Sequence, residues 1–207
     1  METAPVTLQQ RLEPEDEARA QFYALLARLY ASAPDATLLA ALGGSDAWQD
    51  AGGNPLADAW NTLILASRAM DAAAAEQEYT DLFVGVGKAE CNLHGSYWIR
   101  EATLQRPLVA VRADLAALGL ARQGGSAVYE DHLAALCETM RILIAGDGKR
   151  RPVALAGQRA FFERHVASWV SDCCNAICEC PLANYYRRVA EFTGLFMALE
   201  RDSLAMG

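Results

Sequence analysis

Residues 78–98 read EYTDLFVGVGKAECNLHGSYW, and this stretch decides the fold. Tyr79, Leu82 and Phe83 recur at i, i+3, i+4, the spacing of one helical face, so its first part predicts the buried end of a helix. Gly85 and Gly87 stop that helix, because glycine accepts the left-handed backbone that a helix exit commonly needs. The remainder, Cys91 to Trp98, is too irregular for a long helix and too apolar and aromatic for an ordinary solvated loop. Function is expected in this loop, with helices elsewhere holding it in place.

Upstream, Pro14 followed by Glu15, Asp16 and Glu17 marks a helix start, with Phe22, Leu25, Leu26 and Leu29 as its apolar face and an end near Ser32 and Pro34. A short helix is predicted over Asp35 to Leu42, closed by Gly43-Gly44, and Ser45 to Gly53 is a loop carrying Trp48. Asn54-Pro55 opens another helix with Leu56, Trp60, Leu63 and Ile64 inward, and the alanine-rich Asp71 to Ala75 leads into the central segment. Downstream, Arg106 to Leu118 is helical with Pro107 in its first turn and Gly119 as its stop, and Leu133, Leu136, Cys137, Met140 and Ile144 mark a further helix. Pro152 opens a segment with Phe162, Val166, Trp169 and Val170 as one stripe. Pro181 begins the last helix, with Tyr185, Val189, Phe192, Phe196 and Leu199 facing inward. No stretch alternates with period two, so the expected architecture is all-α, a single domain over residues 1–207 with a hinge at about 121–126 in ARQGGS.

At 207 residues the chain can bury a core without disulfides or metal, and its 53% hydrophobic content excludes a disordered protein. The net charge of -8 predicts an acidic surface, which disfavours nucleic acid as a partner and favours a basic peptide. The first residues lack a basic stretch followed by an apolar one, and nowhere do about 18 apolar residues run together, so neither a secretory signal nor a membrane span is read. The expected location is the cytoplasm, where the six cysteines would be free thiols.

Several patterns look chemical. Asp131-His132 is the most catalytic-looking pair, since a carboxylate can orient an imidazole; the alternative is that Asp131 caps a helix while His132 bonds a neighbouring loop. Cys173, Cys174, Cys178 and Cys180 invite a metal, but they lack paired Cys-x-x-Cys spacing and read better as small apolar side chains packed between helices. Gly85-Val86-Gly87-Lys88 lacks the strand, glycine spacing and hydroxyl residue of a phosphate loop. Ser96, two residues from His94, has no nucleophile elbow around it and is expected to tie down a turn. Tyr97 and Trp98 are either core residues or anchors for a docked peptide, while Trp48 and Trp169 are expected in the core. No motif calls for a resident cofactor or metal.

The stretch from Tyr79 resembles the signature of the TorD/DmsD redox-enzyme maturation chaperones, a Tyr-x-x-Leu-Phe-x-Gly helix end followed by a Pro-Tyr-x-Ser-x-Tyr/Trp loop. Tyr79, Leu82, Phe83, Gly85, Ser96 and Trp98 stand in matching places, and Leu93-His94 replaces the Pro-Tyr pair. Glu130-Asp131-His132-Leu133, followed by Glu138 and Met140, looks like the family's second signature, with Val128-Tyr129 where an acidic-Pro pair is usual. Phe161-Phe162-x-x-His165-x-x-x-Trp169 and Tyr185-Tyr186-Arg187-x-x-Ala190 are similar to its later helices, and the likeness runs from about Ala20 to Glu200.

What the resemblance implies is a chaperone, not an enzyme, for a molybdenum or tungsten oxidoreductase of the dimethyl-sulfoxide-reductase type. It would bind that enzyme's twin-arginine leader, its apo-form or both before cofactor insertion and export. In this family the Asp-His pair lies beside the first-signature loop and contributes to recognition. The expected site is therefore Tyr79, Leu82, Phe83, Gly85, Leu93, His94, Ser96, Tyr97 and Trp98 with Glu130, Asp131, His132 and Glu138, the acidic residues taking the arginines and the aromatic ones the apolar part. The Leu-His-Gly-Ser-Tyr loop form followed by Arg106-Pro107-Leu108 points to a formate dehydrogenase as client. A domain-swapped homodimer through ARQGGS is a further expectation. The competing reading is a small helical enzyme or metal-handling protein using Asp131, His132, His94 and the cysteines.

Overall fold

The computed structural model describes residues 12–49, 53–85, 88–99, 106–121 and 128–206, and every regular element among them is helical. The first helix, α1 (Pro14–Ala31), starts with proline and three acidic residues in its first turn, where the missing N–H costs nothing and negative charge meets the positive helix end. Its buried face runs through Tyr23, Leu26, Leu29 and Tyr30, while Phe22 and Leu25 flank it half-buried. Tyr30 belongs inside because a polar partner awaits it: its hydroxyl lies 3.0 Å from Thr193 Oγ1.

Side-chain caps place the next three helices as the sequence predicts. The Asp35 carboxylate accepts from Leu38 N at 2.7 Å for α2 (Ala36–Gly43), and Asn54 Oδ1 accepts from Leu56 N at 3.1 Å for α3 (Pro55–Ala69). Asp71 does the same for α4 (Ala72–Tyr79), accepting from Ala74 N at 2.9 Å. A π-helical turn, Thr80–Val84, continues α4. After a single turn, α5 (Gly95–Trp98), come α6 (Pro107–Ala117), α7 (Leu133–Ala145), α8 (Leu155–His165), α9 (Val170–Glu179) and α10 (Tyr185–Met206). In the bundle α1 lies along α7, α10 packs on α9 and α3, and α6 bridges α5 and α8. Gly87 and residues 122–126 of the expected hinge lie outside the described residues.

Four expectations are corrected. Phe162, Val166, Trp169 and Val170 are all buried, but they span two helices. The Trp169 indole N–H donates to His165 O at 2.7 Å, the carbonyl that an unbroken helix would offer to Trp169 N, and so the helix breaks there. Pro181 sits in a turn, and α10 begins only at Tyr185, where the Glu78 carboxylate receives the N–H groups of Asn184, Tyr185 and Tyr186 at 2.8, 3.0 and 2.8 Å. Leu199 is exposed because the inward place beside it belongs to Glu200, held by Arg19 at 2.7 and 3.0 Å. Trp48 is 36% exposed, resting at the edge of the core against Phe22 and Trp60.

Arg19, Glu200 and Gln158 form a buried polar link between α1, α10 and α8. Breaking one side of such a pair leaves a charge uncompensated, so it specifies how these helices meet. Glu78 does the same for α4 and α10. Replacing it with alanine exposes three backbone donors at a buried helix start, and the expected loss is about 3 kcal/mol of unfolding free energy. A urea titration checks this; an unshifted midpoint for Glu78→Ala would show that α10 needs no such cap.

Candidate functional site

The site begins where α4 ends. In the π-helical turn Gly85 N donates to Thr80 O at 2.7 Å, and Gly85 then takes φ +64°, a left-handed conformation that other residues avoid. A Cβ there would collide with the Lys88 carbonyl, so glycine is required twice over. The chain then returns, Cys91 N donating to Leu82 O at 2.9 Å, with Cys91 and Leu93 buried.

From here the loop is laid against the start of α7 as a fragment of antiparallel pairing. Leu133 N donates to Leu93 O at 2.8 Å, Gly95 N donates to Asp131 O at 2.9 Å, and His94 faces His132 between them. Asn92 shapes the approach by accepting from His94 N at 2.9 Å through its side chain and from the Trp98 indole at 2.8 Å through its carbonyl. Gly95 is pressed against Trp169: a Cβ would stand 3.1 Å from the indole nitrogen. The two signatures, far apart in sequence, thus become one structure.

Asp131 is the hub of this structure. It is 2% exposed, its Oδ1 lies 3.2 Å from His94 Nδ1, and its Oδ2 accepts from Ser96 N at 3.0 Å. Burial works against its charge, but the bonds from His94 and from the Ser96 side chain and backbone prevail and hold it down at about 2. His132 Nδ1 accepts from Ala134 N at 3.1 Å and so caps α7. Burial, reinforced by His94 with its ring 4.8 Å away, lowers its pKa to about 4. The capping alternative read from the sequence is therefore inverted: His132 caps the helix and Asp131 bonds the loop. Of these two neighbours, His132 stands at the cap position, from which a side chain reaches the N–H groups of its own helix's first turn.

The remaining expected site residues fall into groups. Tyr79 and Phe83 join Tyr30 and Tyr186 in an aromatic cluster behind the loop, and Leu82 is fully buried. Tyr97 is 43% exposed and packs edge-on to the half-buried Trp98, while Ser96 is exposed. Glu130, beside Asp131, pairs with Arg112 Nη2 at 3.0 Å. Two turns along α7, Glu138 holds Arg141 in a two-bonded grip of 2.8 and 2.7 Å and, among the described residues, makes no hydrogen bond to the loop. Sequence reasoning missed Asn92, Arg112 and Tyr129, whose exposed ring is centred 6.1 Å from that of His94. Only Asn92 had a local signal, an Asx turn two residues before His94.

Cys137, Cys173 and Cys174 are core side chains, with burial raising Cys174 to about 12. No group of three or more histidines, cysteines and carboxylates among the described residues is arranged to hold a metal ion, and no helix there is long and apolar enough to cross a membrane. The all-helical fold, with the two signatures meeting in one loop, defines the class as a redox-enzyme maturation chaperone. The family model described as nitrate reductase delta subunit matches residues 49–175, more than half of the chain, and the chain belongs to that family of chaperones for molybdoenzyme maturation. No curated protein matches the chain.

His132 makes stability depend on pH. Its folded-state pKa lies below its ordinary value of 6.5, so between pH 6.5 and about 4 the unfolded chain binds more protons and stability falls as pH falls, by up to about 3 kcal/mol. His165, lowered first by burial, acts in the same direction. Replacing His132 with asparagine keeps a capping acceptor and removes the titration. Urea unfolding at pH 7 and pH 5 should therefore show a smaller difference for His132→Asn than for the wild type; an equal difference would place the dependence elsewhere.

Proposed function

We propose that this protein is a cytoplasmic chaperone that binds the twin-arginine leader of a molybdenum or tungsten oxidoreductase, and its apo-form, before cofactor insertion and export. Such a leader joins paired arginines to an apolar, helix-prone segment. What supports the reading is an exposed aromatic surface: Tyr97 on a loop secured from beneath by a buried carboxylate, and Tyr129, just before α7, with its ring near that of His94, the whole bordered by Glu130. Aromatic rings on a preorganised backbone are efficient peptide anchors, and the chain's net charge of -8 draws in a basic peptide.

The roles divide accordingly. Tyr97, Trp98 and Tyr129 meet the apolar segment, and Glu130 and Glu138 meet the arginines. Asp131 has both oxygens engaged by its own chain, so it positions the loop instead of receiving a guanidinium. His132, Leu82, Leu93, Tyr79, Phe83 and Gly85 support the loop from behind. A formate dehydrogenase is the client favoured by the form of the loop, and the chain acts as one domain.

Isothermal titration against synthetic twin-arginine leaders, each paired with a Lys-Lys control, tests the proposal. The expected result is binding to the cognate leader at micromolar or tighter Kd, weakened in the control. Tyr97→Ala should weaken it about tenfold with an unchanged thermal midpoint, because the ring is a partly exposed anchor and not part of the core. Binding that is indifferent to Tyr97 would remove the loop from the interface.

A further inference from the structure

We propose that Cys91 and Cys180 form an oxidation site, a pair of thiols that a small two-electron oxidant such as hydrogen peroxide closes to a disulfide, tying the loop of the candidate site to the end of α9. The pairing stands on the packing of α9 and does not depend on what the chain binds. Cys173, Ala176 and Cys180 recur at i, i+3, i+7 and so share one face of that helix. The loop runs along this face. Cys173 Sγ lies 3.6 Å from Asn92 O, and Cys91 Sγ lies 3.8 Å from Ala176 O. The same Ala176 carbonyl accepts from Cys180 N at 3.1 Å, and Cys180 keeps a helical φ of -67°, so it holds the next place along the face. There its thiol hydrogen-bonds that of Cys91.

The six cysteines differ in what can reach them. Cys91, Cys137, Cys173 and Cys174 are buried, while Cys178 and Cys180 are half-buried, and Cys178 is engaged with Arg187 O on α10 at 3.8 Å. Burial, reinforced by the neighbouring Cys180, pushes the Cys91 thiol up to about 12, so Cys91 stays protonated and the oxidant acts first at Cys180. The Cys180 thiolate attacks one peroxide oxygen, the O–O bond breaks, the departing hydroxide takes up a proton, and Cys180 becomes a sulfenic acid. The Cys91 sulfur then attacks the Cys180 sulfur, the S–O bond breaks, and the hydroxyl leaves with the Cys91 proton as water. Two thiols have lost two electrons and one peroxide has become two waters. A small-molecule thiol in excess reverses the change by thiol–disulfide exchange, ending as its own disulfide.

The test treats the folded, full-length protein with a modest excess of hydrogen peroxide, removes the peroxide with catalase, alkylates the remaining thiols during denaturation and maps the peptides by mass spectrometry. Wild type is compared with Cys180→Ser, Cys91→Ser and Cys178→Ser, with circular dichroism confirming the helical fold of each. A crosslink between Cys91 and Cys180, removed by dithiothreitol, is expected in wild type and in Cys178→Ser. Cys180→Ser should leave Cys91 reduced, because the buried thiol then has no oxidised neighbour. In Cys91→Ser the sulfenic acid at Cys180 should persist and be captured by dimedone. Wild-type thiols that all remain reduced, or a Cys180 that advances to sulfinic acid while Cys91 stays free, would overturn the proposal. So would a crosslink of either residue to Cys173 or Cys178, or oxidation of Cys91 in Cys180→Ser at the wild-type rate. If Cys91→Ser does not fold, Cys180→Ser and Cys178→Ser decide alone, since both of those positions are half-buried.

Discussion

Three backbone N–H groups at the start of α10 converge on one buried carboxylate, Glu78, and the arrangement of the molecule follows from that. A helix start inside a protein cannot be left with unsatisfied donors, and α10 has no local residue that accepts them. Glu78 is the penultimate residue of α4, so satisfying α10 also sets where α4 ends. Immediately beyond it, Tyr79 and Phe83 pack on Tyr186, the third residue whose N–H or ring the α4 end receives. The turn that launches the loop of the candidate site is thus braced by α10.

Asp131 repeats the device at smaller scale. One carboxylate, buried and strongly acidic, gathers a side chain and a backbone N–H from a loop more than thirty residues earlier in the chain. Together with the two backbone bonds flanking His94 and His132, it turns an irregular segment into a fixed surface. Preorganisation of this kind lowers the ordering cost that a partner must meet, and it gives the exposed ring of Tyr97 a fixed backbone to stand on. The catalytic look of Asp131, His94 and His132 has a mechanical side: both Asp131 oxygens and the Nδ1 atoms of the two histidines hold a backbone group or another site residue.

The acidic balance of the chain does not leave the two glutamates of the candidate site vacant. At the site, Glu130 and Glu138 each carry an arginine of the same chain.

Much of the fold was legible in the residues because helix starts and stops are local events. Asp35, Asn54 and Asp71 accept from N–H groups of their own first turns, Pro14 and Pro107 bring no N–H to theirs, and apolar spacing selects the inward face, so the all-α class and most helix positions follow from sequence alone. The loop from Cys91 to Trp98 stood out as a local break in that spacing, and the Asp131-His132 pair as adjacent residues of catalytic type. What sequence could not decide were the features carried by long-range polar bonds. The late start of α10 depends on Glu78, the exposure of Leu199 on Arg19 reaching Glu200, and the break before α9 on which carbonyl the Trp169 indole takes. The same holds for the exchange of roles between Asp131 and His132 and for the occupation of Glu130 by Arg112. Spacing along the chain ranks candidates, but only tertiary structure determines which donor meets which acceptor.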